Sequence, residues 1–301
     1  MKIVFGIYNH NLTFMNNYKT FIELTRLSRP IGYMLLFWPC AWGLAYSINS
    51  SDNLDKFIYY LILFFLGSVL MRSAGCIVND VVDKDLDKKI KRTKQRPLAS
   101  GKISVKRSLM YVIILCIFAF LILIQFNKLT IILGIGSMTL AFSYPFMKRI
   151  TYWPQLFLGL TFNWGILMSW TSINNSISPD IIIFYIGAIF WTLGYDTIYG
   201  AQDMIEDEII GIKSTAIKFK SNIKLFVLFC YFSTMIIFTY LFYSKIGLNI
   251  FSILLLIFAS TLFYQIKIFD TKKPKKCLTA FKTNNFSGLI LFTALLTGVL
   301  K

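Results

Sequence analysis

The stretch FIYYLILFFLGSVLMRSAGCIVNDVVDKDLD, residues 57–87, decides the fold class. It begins with an apolar run that extends to residue 79, and it ends in a cluster of carboxylates. A helix of about 20 apolar residues spans the hydrocarbon core of a bilayer. Because lipid offers the backbone no hydrogen-bond partners, such a segment must satisfy its own polar groups as a helix. The stretch therefore predicts a transmembrane helix with a polar cluster at one end.

Similar apolar runs recur along nearly the whole chain of 301 residues, of which 56% are hydrophobic and 15% charged. This composition predicts an all-α integral membrane protein, a bundle of about nine transmembrane helices. The predicted spans cover residues 31–48, 57–79, 108–126, 129–147, 154–171, 181–201, 223–243, 247–266 and 286–300. We expect the loops at 84–107 and 202–222 to cap the bundle on its cytoplasmic side and to contain short helices.

The charge distribution gives the predicted orientation. A formal net charge of +17 would also suit a nucleic-acid-binding protein, but most Lys and Arg residues fall on one side of the nine-span arrangement. The other side carries Lys56, Lys128, Lys245 and Lys301. Such asymmetry follows the positive-inside rule, so it places the N-terminus and the acidic clusters in the cytoplasm and argues against nucleic acid as a partner.

The chain shows no long Gly-, Ser- or Pro-rich linker, and we predict a cytoplasmic segment at 1–22 followed by one membrane domain at 23–301. The first 28 residues lack the apolar core and cleavage site of a signal peptide, and Glu23 with few arginines argues against a transit peptide. We expect a bacterial inner membrane, with the mitochondrial inner membrane as the alternative. Five scattered cysteines predict no disulfide framework.

Two groups of oxygen ligands follow long apolar runs. The first group consists of Asn79, Asp80, Asp83 and Asp87, and the second of Asp196, Asp203 and Asp207. Spacings of three, four and seven residues place side chains on one face of a helix. Carboxylates at the C-terminal end of a helix are destabilised by the helix dipole and by each other, and a bound cation would remove that cost.

The ligand types favour magnesium over zinc. Mg²⁺ prefers oxygen ligands, with one or two carboxylates for each ion and phosphate oxygens in the remaining positions. Zinc is poorly supported, since His10 is the single histidine of the chain and no cysteine pair has ligand spacing. The alternative is that the acidic residues form a solvated, ion-paired face with neighbouring lysines. A second matched cluster argues against that alternative.

Several strings resemble the UbiA family of membrane prenyltransferases. The pattern NDxxDxxxD is present at residues 79–87, and DxxxD is present at 203–207. Longer strings resemble the branch of the family that prenylates 4-hydroxybenzoate: RLSRPIGYMLLFWP from residue 26, MRSAGCIVND from 71, KRTKQRPLASG from 91, YPFMKR from 144 and GYDTIYGAQD from 194. Glu206, Met204 and Ile205 depart from the family pattern, and Glu206 could alter the surroundings of the second motif.

The resemblance implies an Mg²⁺-dependent enzyme that transfers a polyprenyl group from a polyprenyl diphosphate to 4-hydroxybenzoate, at the ring carbon ortho to the hydroxyl. This is an early membrane step of ubiquinone biosynthesis, and no protein partner is implied. Loss of diphosphate would leave an allylic carbocation that the aromatic ring attacks. The implied metal ligands are Asn79, Asp80, Asp83, Asp87, Asp203 and Asp207. The implied catalytic residues are Asp83, Asp87, Asp196, Asp203 and Asp207.

Basic and aromatic residues near the clusters are candidates for binding substrate. Candidates for binding the diphosphate are Lys91, Arg92, Arg96 and Lys213; the alternative is that these residues only set topology. An arginine inside a span is costly and is a functional candidate by default. Candidates for binding the aromatic acid are Arg72, Arg149, Arg29, Tyr195 and Tyr199, with Arg72 and Arg149 ranked ahead of Arg29. The two tyrosines flank Asp196 and could also stabilise a carbocation through their rings.

Three other functions remain open at the level of sequence. A prenyltransferase of the same family could use another acceptor, such as a naphthoate or a haem precursor. A cation transporter would use membrane carboxylates along a permeation path, but it would place them near the bilayer midplane. These carboxylates lie at one end of their spans. A purely structural membrane protein would not explain two paired acidic clusters.

Overall fold

The computed structural model describes residues 17–48 and 54–298, and all regular secondary structure within them is helical. Helix α1 covers 17–25. The helices that follow are α2 (Ile31–Ser47), α3 (Leu54–Val82), α4 (Lys84–Asp87), α5 (Val105–Leu123), α6 (Lys128–Ile150), α7 (Pro154–Asn174), α8 (Pro179–Gly200), α9 (Met204–Ile209), α10 (Thr215–Lys218), α11 (Ile223–Leu241), α12 (Ile250–Ile268) and α13 (Pro274–Thr297). Most of the predicted N-terminal segment, 1–22, lies outside the described residues.

The chain is a multi-pass membrane protein. Seven described helices, α3, α5 to α8, α11 and α12, are long and apolar enough to span a bilayer. Helix α2 has 17 residues and α13 has 24, so nine long helices are present among the described residues. The count of nine spans is not confirmed, because α2 is short and α13 begins in a lysine-rich segment. The predicted last span, 286–300, lies mostly within α13, and this helix begins earlier, at Pro274.

Local sequence signals set the helix starts. Asn127 accepts a hydrogen bond from the backbone N–H of Thr130 at 3.0 Å, and Asn249 does the same for Ser252 at 2.9 Å. These side chains satisfy backbone donors that the first turn of a helix leaves free. Pro154 stands in the first turn of α7, where the missing N–H costs nothing. The predicted short helices in the cap loops are present as α4, α9 and α10.

Packing divides the bundle into a dense part and an open part. The largest buried apolar cluster joins α2, α7, α8, α11, α12 and α13. Helices α2 and α7 approach closely at Gly43, where an added Cβ would lie 2.3 Å from Ser169 Oγ and 2.6 Å from the Ile166 carbonyl oxygen. Helices α3, α5 and α6 are less buried and enclose a large cavity against α2, α7 and α8. This cavity contains the polar clusters.

Candidate active site

A cavity of about 1760 Å³ runs from the cap loops into the membrane-spanning part of the bundle. Both acidic clusters line it at the end that the cap loops cover. Its wall also includes residues of α5 and α6 that are more than half exposed, such as Ile113 at 59% and Ile135 at 55%. The cavity is therefore open to lipid between these two helices.

The first cluster lies at the junction between α3 and α4. Helix α3 ends at Val82, and Asp83 precedes the short helix α4. The acids do not lie on one continuous helix, which corrects the expectation from spacing. Backbone hydrogen bonds from Asp83 N to Asn79 O at 2.9 Å and from Asp87 N to Asp83 O at 2.8 Å preserve the helical spacing across the break. Asp83 and Asp87 are both buried, at 1% and 4% exposure.

Two arginines neutralise Asp80 and Asp87. Arg96 Nη1 donates to Asp87 Oδ2 at 2.8 Å and to Asp80 Oδ1 at 3.2 Å. Arg26 also donates to Asp80 Oδ1. Arg26 adopts a positive φ of 57°, which turns the chain between α1 and α2. Together these contacts fasten the segment before α2 and the first cap loop to the end of α3.

Asp83 contacts basic side chains of α6. Lys148 Nζ donates to Asp83 Oδ2, and Arg149 Nη2 lies 3.7 Å from Asp83 Oδ1. Arg149 also donates to the Val82 carbonyl oxygen at 2.6 Å. Burial raises the pKa of Asp83, and the nearby Lys148 opposes that effect. Asp83 Oδ1 has no hydrogen-bond partner among the described residues, so one buried carboxylate oxygen is available to a ligand.

The second cluster is held by the first cap loop. Arg92 makes a two-pronged contact with Asp203, with Nε donating to Oδ1 at 2.9 Å and Nη2 donating to Oδ2. Arg92 also lies 5.9 Å from the centre of the Tyr199 ring. Asp207 stands in α9 and lines the cavity; burial and the neighbouring Asp203 carboxylate raise its pKa to about 6. Asp196 lies one turn before the end of α8, so it is separate from this pair.

Arg72 lies deeper in the cavity, within α3. Its Nε has no hydrogen-bond partner among the described residues, and its guanidinium lies 5.2 Å from the centre of the Phe162 ring. Gly32 makes room for this side chain, since a Cβ there would lie 3.0 Å from Arg72 Nε. Asp196 is close enough for its charge to interact with Arg72. The result is a small polar pocket below the acidic clusters.

The other predicted site residues occupy different surroundings. Arg149 lies at the acidic mouth beside Asp83, and Arg29 is exposed at the cavity rim. Tyr195 is buried at 1% exposure and lines the cavity, with no hydrogen-bond partner for its hydroxyl in the described part of the chain. Lys91 is exposed and does not line the cavity. Lys213 donates outside it, to the Ile150 carbonyl oxygen at 3.1 Å.

Sequence reasoning assigned no role to three residues that line this cavity. Arg26 binds Asp80, Lys148 binds Asp83, and Tyr144 lies one turn before Lys148 on α6. Arg26 opens the string RLSRPIGYMLLFWP, and the other two stand in YPFMKR. Their presence in these strings was the available signal, but it did not indicate which carboxylate each cation contacts.

The donor chemistry fits Mg²⁺, although the carboxylates now bind protein cations. No group of three or more His, Cys, Asp or Glu side chains among the described residues could hold a metal ion as they stand. Instead, the carboxylates of Asp80, Asp83, Asp87 and Asp203 contact arginine or lysine. Asp83 Oδ1, which accepts no hydrogen bond among the described residues, and the all-oxygen character of the clusters match the preference of Mg²⁺. Metal binding therefore requires an exchange of partners.

Comparison with known proteins identifies the family. The sequence profile described as the UbiA prenyltransferase family matches residues 36–293. A mitochondrial 4-hydroxybenzoate polyprenyltransferase of Drosophila pseudoobscura pseudoobscura is 38% identical over 94% of this chain and 71% of its own length. A 4-hydroxybenzoate octaprenyltransferase of Vibrio atlanticus is 41% identical over 92% of this chain and 96% of its own length.

Solved structures share the fold at lower sequence identity. The apo structure of a UbiA homologue from Aeropyrum pernix superposes with a TM-score of 0.74 at 20% identity, over 89% of this chain and 98% of that one. A UbiA homologue from Archaeoglobus fulgidus, solved with GPP and Mg²⁺, gives a TM-score of 0.66 at 17% identity, over 94% and 100% of the two chains. At such identities the likeness concerns the fold.

Proposed function

Because this chain belongs to the UbiA prenyltransferase family, we propose that it transfers a polyprenyl group from a polyprenyl diphosphate to the ring carbon of 4-hydroxybenzoate ortho to the hydroxyl. The names of the two relatives support this donor and acceptor, and they support a place in ubiquinone biosynthesis. The observation that carries the proposal is the meeting of both acidic clusters at the mouth of one cavity that is open to lipid.

The mouth of the cavity suits a diphosphate with its metal ions. Asn79, Asp80, Asp83 and Asp87 of the first cluster and Asp203 and Asp207 of the second would hold Mg²⁺. The bound Mg²⁺ would neutralise negative charge that develops on the diphosphate as it leaves. The A. fulgidus homologue with GPP and Mg²⁺ supports this cofactor.

In this proposal, the basic side chains that contact the carboxylates bind the diphosphate. Arg92, Arg96 and Lys148 each line the cavity and each donate to a carboxylate of a cluster. When those carboxylates bind metal instead, the same donors become available to phosphate oxygens a short distance away. Charge-assisted hydrogen bonds from arginine to phosphate favour two-pronged geometry. In this proposal Lys91 and Lys213 do not bind the diphosphate, and their positive charge serves only to set the membrane topology.

Arg72 is our candidate for the carboxylate of the aromatic acid. Its unpartnered Nε and its position below the clusters support a role in binding an anion. This would place the benzoate ring between the polar pocket and the diphosphate. Arg149 and Arg29 lie too close to the mouth or the rim for this role, although both were candidates from the sequence. The faces of Tyr195 and Tyr199 would then flank the reacting carbon.

The reaction breaks the bond between the allylic carbon and the diphosphate oxygen, and it forms a carbon–carbon bond at the ortho position. The ring then loses one proton, and diphosphate is released. Asp196 is a candidate to accept that proton, since its side chain lines the cavity near Arg72. A closed cap would exclude water that could otherwise quench the carbocation.

We place residues 23–301 in one catalytic membrane domain and locate it in a bacterial inner membrane. The similarity to the octaprenyltransferase of V. atlanticus supports that location. The mitochondrial inner membrane is the alternative, because relatives of similar identity are mitochondrial. The acidic mouth faces the cytoplasm in this proposal, or the matrix in the alternative.

The test is prenyl transfer in membranes that contain the protein. Radiolabelled 4-hydroxybenzoate and an eight-unit prenyl diphosphate are incubated with Mg²⁺ or with a chelator. We expect lipid-soluble label only with Mg²⁺, and we expect Asp83→Ala to abolish it. Asp85→Ala is the matched control. Asp85 is exposed, and within the described residues its side chain accepts a hydrogen bond from Lys88 alone. Transfer to a naphthoate but not to 4-hydroxybenzoate would contradict the proposed acceptor.

A further inference from the structure

The cavity continues far below the polar residues, along one side of α3. Asp83, just after α3, and residues of α3 back to Phe64 line it every three or four positions, and no described residue earlier in α3 than Leu63 does so. Nineteen residues of helix at 1.5 Å each correspond to about 28 Å. The lower part of the wall is mostly apolar, with Ser68 and Ser137 as polar exceptions. It passes Gly75 and Gly67, where an added Cβ would meet no atom within 4 Å.

Aromatic side chains close the lower end. The rings of Phe64 on α3 and Phe126, just after α5, have their centres 4.7 Å apart, and Tyr60 packs against Phe126 at 5.0 Å. Phe64 and Phe126 are 5% and 8% exposed, and both line the cavity. Helices α5 and α6 meet at the same level, where an added Cβ on Gly134 would lie 2.5 Å from Leu123 Cδ1.

We propose that Phe64 and Phe126 form the floor of the channel for the prenyl tail, so that they limit how much of an extended tail the cavity encloses. An isoprene unit adds four chain carbons, or about 5 Å when extended, so a depth of about 28 Å accommodates about five units below the diphosphate. A longer tail must turn between α5 and α6 into the lipid. This inference rests on the proposed function, because it takes the prenyl diphosphate as the ligand.

The first test maps the end of the tail without requiring turnover. Prenyl diphosphates of two and five units, each with a diazirine at the far end, are photolysed with the full-length protein and Mg²⁺. We expect the five-unit probe to label peptides that contain Phe64 or Phe126, and the two-unit probe to label peptides nearer Arg72. Unlabelled donor should compete with both probes.

The outcomes separate the two proposals. Competed labelling by the five-unit probe that avoids residues 60–68 and 120–134 would overturn the floor and leave prenyl binding intact. The absence of any competed labelling would contradict the proposed donor, and with it the floor.

The second test changes the depth of the channel in opposite directions. Gly67→Phe places a ring about one turn above the floor, in space that is open, and Phe126→Ala removes half of the floor. With an equal mixture of donors of four to eight units, we expect Gly67→Phe to lower the ratio of six-unit to four-unit product about tenfold, the low end of what an apolar pocket achieves for a small size difference. Phe126→Ala should raise the ratio.

Phe232→Ala is the matched control for this experiment, since Phe232 is 62% exposed on α11 and does not line the cavity. Its product ratio should equal that of the unmodified protein. Truncation of a buried phenylalanine can prevent folding, so Gly67→Phe keeps the test decisive if Phe126→Ala does not fold. Equal ratios in Gly67→Phe, Phe232→Ala and the unmodified protein would overturn the proposal.

Discussion

Arg72 is the residue whose chemistry is most constrained by its position. An arginine inside a membrane span costs about 2.5 kcal/mol or more, and its Nε has no hydrogen-bond partner in the described part of the chain. The guanidinium packs on the Phe162 ring and interacts with the charge of Asp196. These features support the proposed role of Arg72 in binding the carboxylate of the aromatic acid.

Replacing Arg72 should therefore weaken binding of the aromatic acid. We expect Arg72→Ala to raise KM for 4-hydroxybenzoate about 10- to 100-fold, which corresponds to loss of a charge-assisted hydrogen bond, and to leave KM for the donor nearly unchanged. Arg72→Lys should not restore binding, because lysine lacks the planar two-pronged donor geometry. Steady-state kinetics measure both constants. Arg107→Ala, at an exposed position, is the control, and an unchanged KM in Arg72→Ala would contradict the assignment.

Asp207 provides a pH-dependent prediction. Burial and Asp203 raise its pKa from 3.8 to about 6, so the folded state favours the protonated form more than the unfolded state does. Protonated Asp207 therefore stabilises the folded state below about pH 4, and this stabilisation is lost as the pH rises through about 6. Without metal, Asp207→Asn should raise the melting temperature at pH 7.5, and the gain should vanish near pH 4. Asp85→Asn should show no such gain, because Lys88 lowers the pKa of Asp85.

At the scale of helices, the dense packing of α2 against α7 contrasts with the open face of α3. Gly43 has no space for a Cβ beside Ser169 and the backbone of Ile166, whereas Gly67 faces the cavity with open space. We expect Gly43→Ala to lower stability by about 1–3 kcal/mol through overpacking. Gly67→Ala should be neutral or stabilise the helix by about 0.5–1 kcal/mol. Thermal unfolding in detergent compares them, and equal effects would contradict this account of the packing.

The two cap loops are joined through Arg92 and Asp203. Arg92 is 41% exposed, so the pair should contribute only about 1 kcal/mol. We expect Arg92→Ala to speed cleavage within residues 88–102 and 201–213 a few-fold during limited proteolysis with a protease of broad specificity. The neighbouring Lys91 is exposed and lies outside the cavity, so Lys91→Ala should leave the cleavage rate unchanged. Equal rates would mean that the contact does not hold the loops together.

At the scale of the whole molecule, the distribution of charge predicts which side of the membrane carries the active site. Lys272 lies between α12 and α13, on the side of the acidic clusters, and Ser176 lies between α7 and α8, on the opposite side. We expect a membrane-impermeant thiol reagent to label Ser176→Cys in intact cells and Lys272→Cys only after the membrane is permeabilised. The reverse pattern would contradict the positive-inside orientation. The unmodified protein, whose five cysteines are not exposed, provides the background.

The sequence by itself determined the membrane class, the helical fold and both acidic motifs. Apolar length and local spacing are properties of short segments, and charge asymmetry is counted along the chain. None of the three depends on how the helices pack against one another. The early start of α13 at Pro274 was missed because its first turns are rich in lysine and polar residues, which resemble a loop in sequence. The break between α3 and α4 was missed because spacing alone cannot distinguish a continuous helix from two adjoining ones.

Only the tertiary structure decided which charges meet. Arg92 and Asp203 are 111 residues apart in sequence, and Lys148 and Asp83 are 65 apart. Such pairs depend on how whole helices pack, so no local pattern distinguishes Lys148, which reaches the site, from Lys213, which turns away from it. The same holds for the aromatic floor, because Phe64 is one phenylalanine among 29 until α3 and α5 bring it against Phe126.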